Sequence, residues 1–143
     1  MTPVSPSLTQ ADRAVVVDIT PPANNGDALL FYRVTLLPSG AQREVPAAQT
    51  TVTFAGLTLG DVVSAKVAAN NTVGWSGTSA PSTVSTVVGR PDAPSDVQVT
   101  FNAGSVTVSW TAAVSNGSPL TANTVYMVPN TAVSTVGGSS IAA

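Results

Sequence analysis

The chain has 143 residues and a net charge of −2, and charged residues make up 8% of it, against roughly 25% in typical soluble domains. Its five basic residues are scattered, which predicts no contact with nucleic acid or with an anionic membrane. Cysteine and histidine are both absent. This excludes disulfides, thiolate nucleophiles and the commonest general base, so we expect a protein that is not an enzyme and binds no cofactor or metal.

Apolar and polar residues alternate with period two through the first 89 residues, which predicts β-strands. Pro3 and Pro6 restrict residues 1–13 to an edge strand at best, because proline cannot donate to a strand ladder. Further strands are predicted at 14–20, 29–37, 43–45, 51–54, 63–69 and 83–88, separated by segments rich in Pro, Asn and Gly. The predicted core comprises Val15, Val17, Ile19, Leu29, Tyr32, Val34, Leu57, Val67 and Ala69.

Residues 54–76 carry a resemblance to a known family. A glycine-rich connection, a strand with apolar odd positions and the tripeptide Gly74-Trp75-Ser76 follow one another. This order resembles the E–F corner, F strand and F–G loop of a fibronectin type III domain, although Leu59 and Val63 stand where that family usually has proline and tyrosine. The matching positions are Gly56, Leu57, Gly60, Val67, Ala69, Asn71, Gly74, Trp75 and Ser76. The resemblance implies an immunoglobulin-like β-sandwich over residues 1–89, and an architecture rather than a reaction.

The beginning of the chain is repeated after 91 residues. When Ser105 is set under Ala14, identical residues align at several positions without a gap, and residues 105–110 spell SVTVSW, a common B strand of the family. Residues 90–94 are predicted to be a linker, and residues 95–143 a truncated second domain with a small, polar tail. Strands A, B, C and part of C′ are expected there, and strands E, F and G are expected to be missing. The core position of Tyr32 is taken by Asn123 in this repeat.

Four residues are candidate contacts for a partner. Trp75, on the predicted F–G loop, suits stacking on a sugar or anchoring a protein, and the alternative is packing over the sheet edge. Val106, Val108 and Trp110 share a face of the second repeat that the missing strands would leave uncovered. We therefore expect a partner to complete residues 95–143 as an assembly or docking segment. The alternative is that the tail, residues 131–143, folds over Trp110.

The seven carboxylates offer two weaker interpretations. Asp92 and Asp96 flank the linker and supply oxygen, the ligand atom that calcium prefers, but two carboxylates in a polar linker are ordinarily just solvated. Asp18 and Glu44 could be proposed as the two catalytic carboxylates of a glycosidase, but no cleft is predicted around Asp18. Neither pair changes the expectation of a non-catalytic protein.

Three classes of function are considered. An enzyme is the one that the sequence supports least, and the other two are non-catalytic. The first is a non-catalytic module of a large assembly, namely a phage capsid decoration or tail-associated protein. It would reside in the virion and bind a capsid or tail subunit or other copies of itself. The N-terminus has neither the basic nor the apolar region of a secretion signal, and lysis would release such a protein without one. The second is an accessory or adhesion module of a bacterial cell-surface or carbohydrate-active protein, which would be extracellular and contact a glycan through the first domain.

Overall fold

The computed structural model describes residues 2–126, 133–136 and 140–142, with side chains described for residues 2–126. It divides into two compact units, Met1–Gly89 and Arg90–Ala143. Within the described ranges all regular structure is β-strand, and no apolar helix long enough to traverse a bilayer is present. The expected all-β fold is therefore confirmed.

The first unit consists of two antiparallel sheets. In chain order its strands are β1 (Ser7–Ala11), β2 (Ala14–Asp18), β3 (Phe31–Leu37), β4 (Gln42–Pro46), β5 (Thr51–Ala55), β6 (Val62–Asn71), β7 (Gly74–Trp75) and β8 (Ser85–Thr86). One sheet has the order β1-β2-β5, so β1 is an edge strand as the two prolines predicted. The other has the order β4-β3-β6-β7, and β8 also pairs with β6.

The core of the first unit lies between these two sheets. Alternate residues of β2, β3 and β6 point inward, and the most completely buried include Val15, Tyr32 and Val34. Burying one such side chain contributes about 1.5–3 kcal/mol, so these strands dominate the stability of the unit. Leu29 and Leu57 are half-buried and pack against the border of the core. Core residues that sequence reasoning did not name are Leu36, Val45, Val52, Phe54, Val63, Ala65 and Val87.

The end of the first unit differs from its prediction. A strand was expected over residues 83–88, but β8 has only two residues. The preceding segment, residues 76–82, lies along β6 instead. Every third residue of this segment is hydrogen-bonded to every second residue of β6. Each of its three serines donates its backbone N–H to a β6 carbonyl and accepts, on Oγ, the N–H of the same β6 residue. The pairs are Ser76 with Ala69, Ser79 with Val67, and Ser82 with Ala65.

The second unit contains five strands among the described residues. These are β9 (Ser95–Asn102), β10 (Ser105–Thr111), β11 (Asn123–Tyr126), β12 (Val133–Val136) and β13 (Ser140–Ala142). One sheet has the order β13-β10-β9, and β11 pairs with β12. All of these pairs are antiparallel.

The register of the second unit repeats that of the first at the same offset of 91 residues. Ser7 lies opposite Asp18 in the first unit, and Gln98 lies opposite Ser109 in the second. Tyr32 opposite Val45 recurs in the same way, with Asn123 facing its β12 partner. At these positions the strands of both units are therefore paired in the same register.

One prediction about the second unit was wrong. Strand E was expected to be missing, but β13 pairs with β10 at the place that β5 takes beside β2. Three residues, Ser140–Ala142, are too few to give a periodic signal in the sequence. Counterparts of β6 and β8 are not found among the described residues of this unit. The alternative in which residues 131–143 fold over Trp110 involves side chains that lie outside the described residues.

Candidate binding surfaces

Trp75 ends a row of three side chains on the outer face of the β4-β3-β6-β7 sheet. The row consists of Glu44, Arg33 and Trp75. The Arg33 guanidinium carbon lies 4.1 Å from the centroid of the Trp75 ring. On its other side Arg33 donates to Glu44, with Nε to Oε1 at 2.8 Å and Nη2 to Oε1 at 2.6 Å. Ala68 of β6 also points to this outer face and is nevertheless buried. We conclude that the row from β4 to β7 covers β6.

This row leaves part of the Trp75 ring accessible. The side chain is 39% exposed, while the guanidinium stacks on it as a cation on an aromatic face. The ring therefore packs over the sheet and also presents apolar surface to solvent. Its role as a contact for a partner stays a prediction. Sequence reasoning missed Arg33, because the partner of this residue is two strands away and no local pattern links them.

A cleft of about 340 Å³ opens beside Trp75, between the loop that follows β2 and the turn between β6 and β7. The two loops are joined by Asp27, whose Oδ2 accepts hydrogen bonds from the N–H of Thr72 at 2.9 Å and from its hydroxyl at 2.7 Å. The remaining polar side chains of the lining are uncharged and are Asn24, Asn25, Asn70, Asn71 and Ser76. Such amides donate to and accept from hydroxyl groups, so the cleft suits a neutral, hydroxyl-rich ligand.

The second unit presents an apolar face that is only partly covered. Val108 and Trp110 are buried, with Trp110 8% exposed, and Val106 is half-buried. The neighbouring residues of β9 are open to solvent, since Val97 is 62%, Val99 50% and Phe101 78% exposed. We call Val97, Val99 and Phe101 the β9 row. Sequence reasoning did not name the row, although its period-two spacing is a readable signal.

The β9 row belongs to the inner face of its sheet. Val99 lies opposite Val108, and Phe101 lies opposite Val106. Residues directly opposite one another on antiparallel strands project to the same side. The row is therefore continuous with the predicted contact residues on β10.

A groove of about 410 Å³ adjoins this face and is lined by Val97, Val108, Trp110 and residues of β11. Trp110 Nε1 is buried there, and among the described residues no acceptor lies within hydrogen-bond distance of it. A buried indole N–H ordinarily finds a partner, and residues 2–126 supply none for this one.

The carboxylate pairs considered from the sequence do not form sites. Asp18 lies on β2 and Glu44 on β4, in different sheets, and Glu44 is paired with Arg33. The carboxylate of Asp92 accepts from Asn116, and that of Asp96 accepts from hydroxyl groups on neighbouring residues. Within residues 2–126, no three His, Cys, Asp or Glu side chains come together as metal ligands.

Solved structures with a similar fold include chains of twitchin and of titin. The twitchin kinase region from C. elegans gives a TM-score of 0.50 at 21% identity and covers 65% of this chain and 18% of its own. Titin kinase and its flanking domains give a TM-score of 0.50 at 16% identity and cover 76% of this chain and 26% of their own. At these identities the likeness concerns the fold alone. This chain thus spans about a quarter or less of either protein chain. No curated protein matches it.

The family model for the fibronectin type III domain matches residues 3–85. The match spans the first unit from β1 to the first residue of β8 and leaves the second unit outside it. Membership of the second unit in the family, and a bacterial or phage style of domain, stay predictions. Because more than half of the chain is matched, the chain belongs to the fibronectin type III family, whose domains are generally non-catalytic structural or binding modules.

Proposed function

We propose that the chain is a structural protein of a phage virion, either a capsid decoration or a tail-associated protein, attached through its second unit to a capsid or tail subunit. The observation that carries this proposal is the exposed β9 row on the inner face of a sheet. Each Å² of apolar surface removed from water contributes about 25 cal/mol, so covering this row would stabilise a complex. Contiguous apolar surface of this kind marks interaction sites in soluble proteins.

The choice of a virion rests on the composition of the chain. A protein of low charge without cysteine resembles the Ser/Thr/Ala/Val-rich fibronectin-like domains of bacteria and their phages. Disulfides form mainly in proteins that pass through an oxidising secretory compartment. A phage particle is released by lysis, so its proteins work outside cells without passing through that compartment. The first unit would then be the exposed module of the particle.

The proposal is tested on particles of the phage whose genome encodes the chain. We expect mass spectrometry to detect the chain in purified particles, and capsid and tail genes to neighbour its own. Particles that lack the chain, or a gene surrounded by hydrolase or secretion genes, would refute the proposal.

Attachment is tested by co-sedimentation of purified variants with particles that lack the chain. Phe101→Ser removes the most exposed residue of the β9 row, and we expect at least tenfold weaker co-sedimentation. Thr100→Ser is the matched control, because Thr100 lies on the opposite side of the same strand, and it should behave like the original chain. Equal co-sedimentation of both variants would contradict attachment through this face.

A second candidate function is an adhesion or accessory module that contacts a glycan through the first unit. The cleft beside Trp75 favours it, because an aromatic ring borders a lining of asparagine amides. A glycan array followed by fluorescence titration tests this function. Binding that Trp75→Ala removes and Phe31→Ala leaves intact would support it, and no binding to any glycan would exclude it.

A further inference from the structure

Two asparagines in the cleft of the first unit have side-chain oxygens that are already bonded. Asn71 Oδ1 accepts the backbone N–H of Val73 at 3.1 Å and that of Gly74 at 3.3 Å. Asn24 Oδ1 accepts the N–H of Gly26 at 3.1 Å. The oxygen of a side-chain amide accepts and its nitrogen donates, so these contacts fix the orientation of both amides. Each Nδ2 group makes no hydrogen bond to a described residue and is left as a donor for a ligand.

These two donors belong to opposite walls of the cleft. Asn24 lies in the loop after β2, and Asn71 ends β6 at the turn to β7. Asp27 ties the two walls together, because its Oδ2 accepts both the N–H and the hydroxyl of Thr72. Its Oδ1 makes no hydrogen bond to a described residue, so it is left as an acceptor for a ligand. The cleft therefore combines oriented donors on both walls with one carboxylate oxygen.

Apolar side chains complete the lining of the cleft. They are those of Ala23, Leu29, Ala69, Val73 and Trp75. Val73 is 87% exposed and Trp75 is 39% exposed, so a ligand in the cleft would remove apolar surface of both residues from water. A chemical group that uses the whole lining must therefore offer an acceptor to the amides, a donor to the carboxylate and an apolar part.

We propose that this cleft binds sugars that carry an acetamido group. The proposal rests on the second candidate function, the contact with a glycan, and specifies the class of glycan. The acetamido carbonyl has two lone pairs for the Nδ2 donors of Asn24 and Asn71, and its N–H would donate to Asp27 Oδ1. Its methyl group would pack against Val73 or the Trp75 ring.

Other sugars match the lining less well. A hydroxyl group in place of the acetamido group has no methyl, so it would leave Val73 and Trp75 exposed to water. An acidic sugar would bring a second negative charge beside the Asp27 carboxylate, and the lining contains no Lys or Arg to balance it. Arg33, which stacks on Trp75, is already paired with Glu44. A neutral acetamido sugar is therefore the class that the cleft fits.

The test uses the whole chain and isothermal titration calorimetry with two matched pairs of probes. Chitotriose and cellotriose share their linkage and differ on each ring in an acetamido group against a hydroxyl group. The methyl glycosides of N-acetylgalactosamine and galactose differ in the same way. We expect at least tenfold tighter binding of the acetamido member in at least one pair, because the hydroxyl member lacks hydrogen bonds and the methyl contact. Equal affinities within both pairs would overturn the proposal.

Two variants test the donors assigned to the site. Asn71→Asp keeps the oxygen that Val73 and Gly74 bond to, and it replaces the Nδ2 donor with an acceptor. Asn25→Asp is the matched control, because it adds the same charge to the same lining at a residue outside the proposed contact. We expect at least tenfold weaker binding of the acetamido probe to Asn71→Asp and little change in Asn25→Asp. Equal losses in the two variants would contradict the assignment of the donor.

A glycan array separates failure of this proposal from failure of the function on which it rests. Array glycans with acetamido groups that bind more strongly than matched glycans without them would support the proposal. Binding only of glycans without acetamido groups would overturn it and leave the glycan contact standing. Binding of no glycan would exclude the proposal and the glycan contact together.

Discussion

Ser79 and Val67 exchange two hydrogen bonds, from Ser79 N–H to the Val67 carbonyl at 2.8 Å and from Val67 N–H to Ser79 Oγ at 3.1 Å. Both residues are buried, so the hydroxyl stands in for a backbone carbonyl that a regular strand would supply. Ser79→Ala would leave the Val67 N–H buried without an acceptor. We expect a loss of about 1–3 kcal/mol in the free energy of unfolding, measured by urea denaturation. Thr78→Ala, at an exposed neighbour, is the control and should change little; equal losses in the two variants would contradict this role for the hydroxyl.

Tyr32 fills the centre of the first core with its ring 1% exposed. Tyr32→Ala should lower the free energy of unfolding by about 3–5 kcal/mol, by analogy with other large aromatic truncations. A urea denaturation curve measures this loss. Tyr126→Ala provides a comparison, because Tyr126 is 69% exposed and its loss should cost far less. A cost below about 1 kcal/mol for Tyr32→Ala would contradict the importance of the ring for core packing.

Burial raises the pKa of the Tyr32 phenol above its ordinary value of 10.0, because the charged phenolate is poorly solvated in the core. The phenol therefore stays protonated in the folded state at a pH where it ionises in the unfolded chain. Its contribution to stability is fully present below the unfolded pKa and is lost as pH rises through the folded pKa. We expect thermal unfolding to show a decline in stability above pH 10 that is smaller in Tyr32→Phe. An identical decline in both proteins would show that another group is responsible.

The contact of Arg33 with Trp75 should be visible in solution. In a Trp110→Phe background, where Trp75 is the only tryptophan, Arg33→Gln should increase quenching of its fluorescence by acrylamide, because one ring face becomes uncovered. The ion pair is partly exposed, so we expect only about 1 kcal/mol of lost stability from ion pair and ring contact together. Arg43→Gln is the control, since Arg43 lies 5.5 Å from the centroid of the Phe54 ring instead. Unchanged quenching in Arg33→Gln would contradict the stacking.

The sandwich itself was readable in the sequence because inward residues such as Val15 and Val17 recur with period two, and burial imposes that period on a strand. The segment at residues 76–82 was not readable as a partner of β6. Its serines recur at every third residue, and their side-chain hydroxyls accept the β6 N–H groups. The period-two pattern that identifies a strand in a sequence does not reveal such a segment.

The candidate surfaces were predicted to different degrees. Trp75 and Trp110 were found because a large aromatic on a loop or on a repeated strand stands out in the sequence. Arg33 and Phe101 were missed for different physical reasons. The position of Arg33 over the ring depends on which strands become neighbours, and the exposure of Phe101 depends on what packs against β9 in the folded chain.

The serines at residues 76–82 have a consequence for polymerisation. They occupy the outer edge of β6 with groups spaced unlike a strand ladder, so this edge cannot serve as a template for a strand of a further chain.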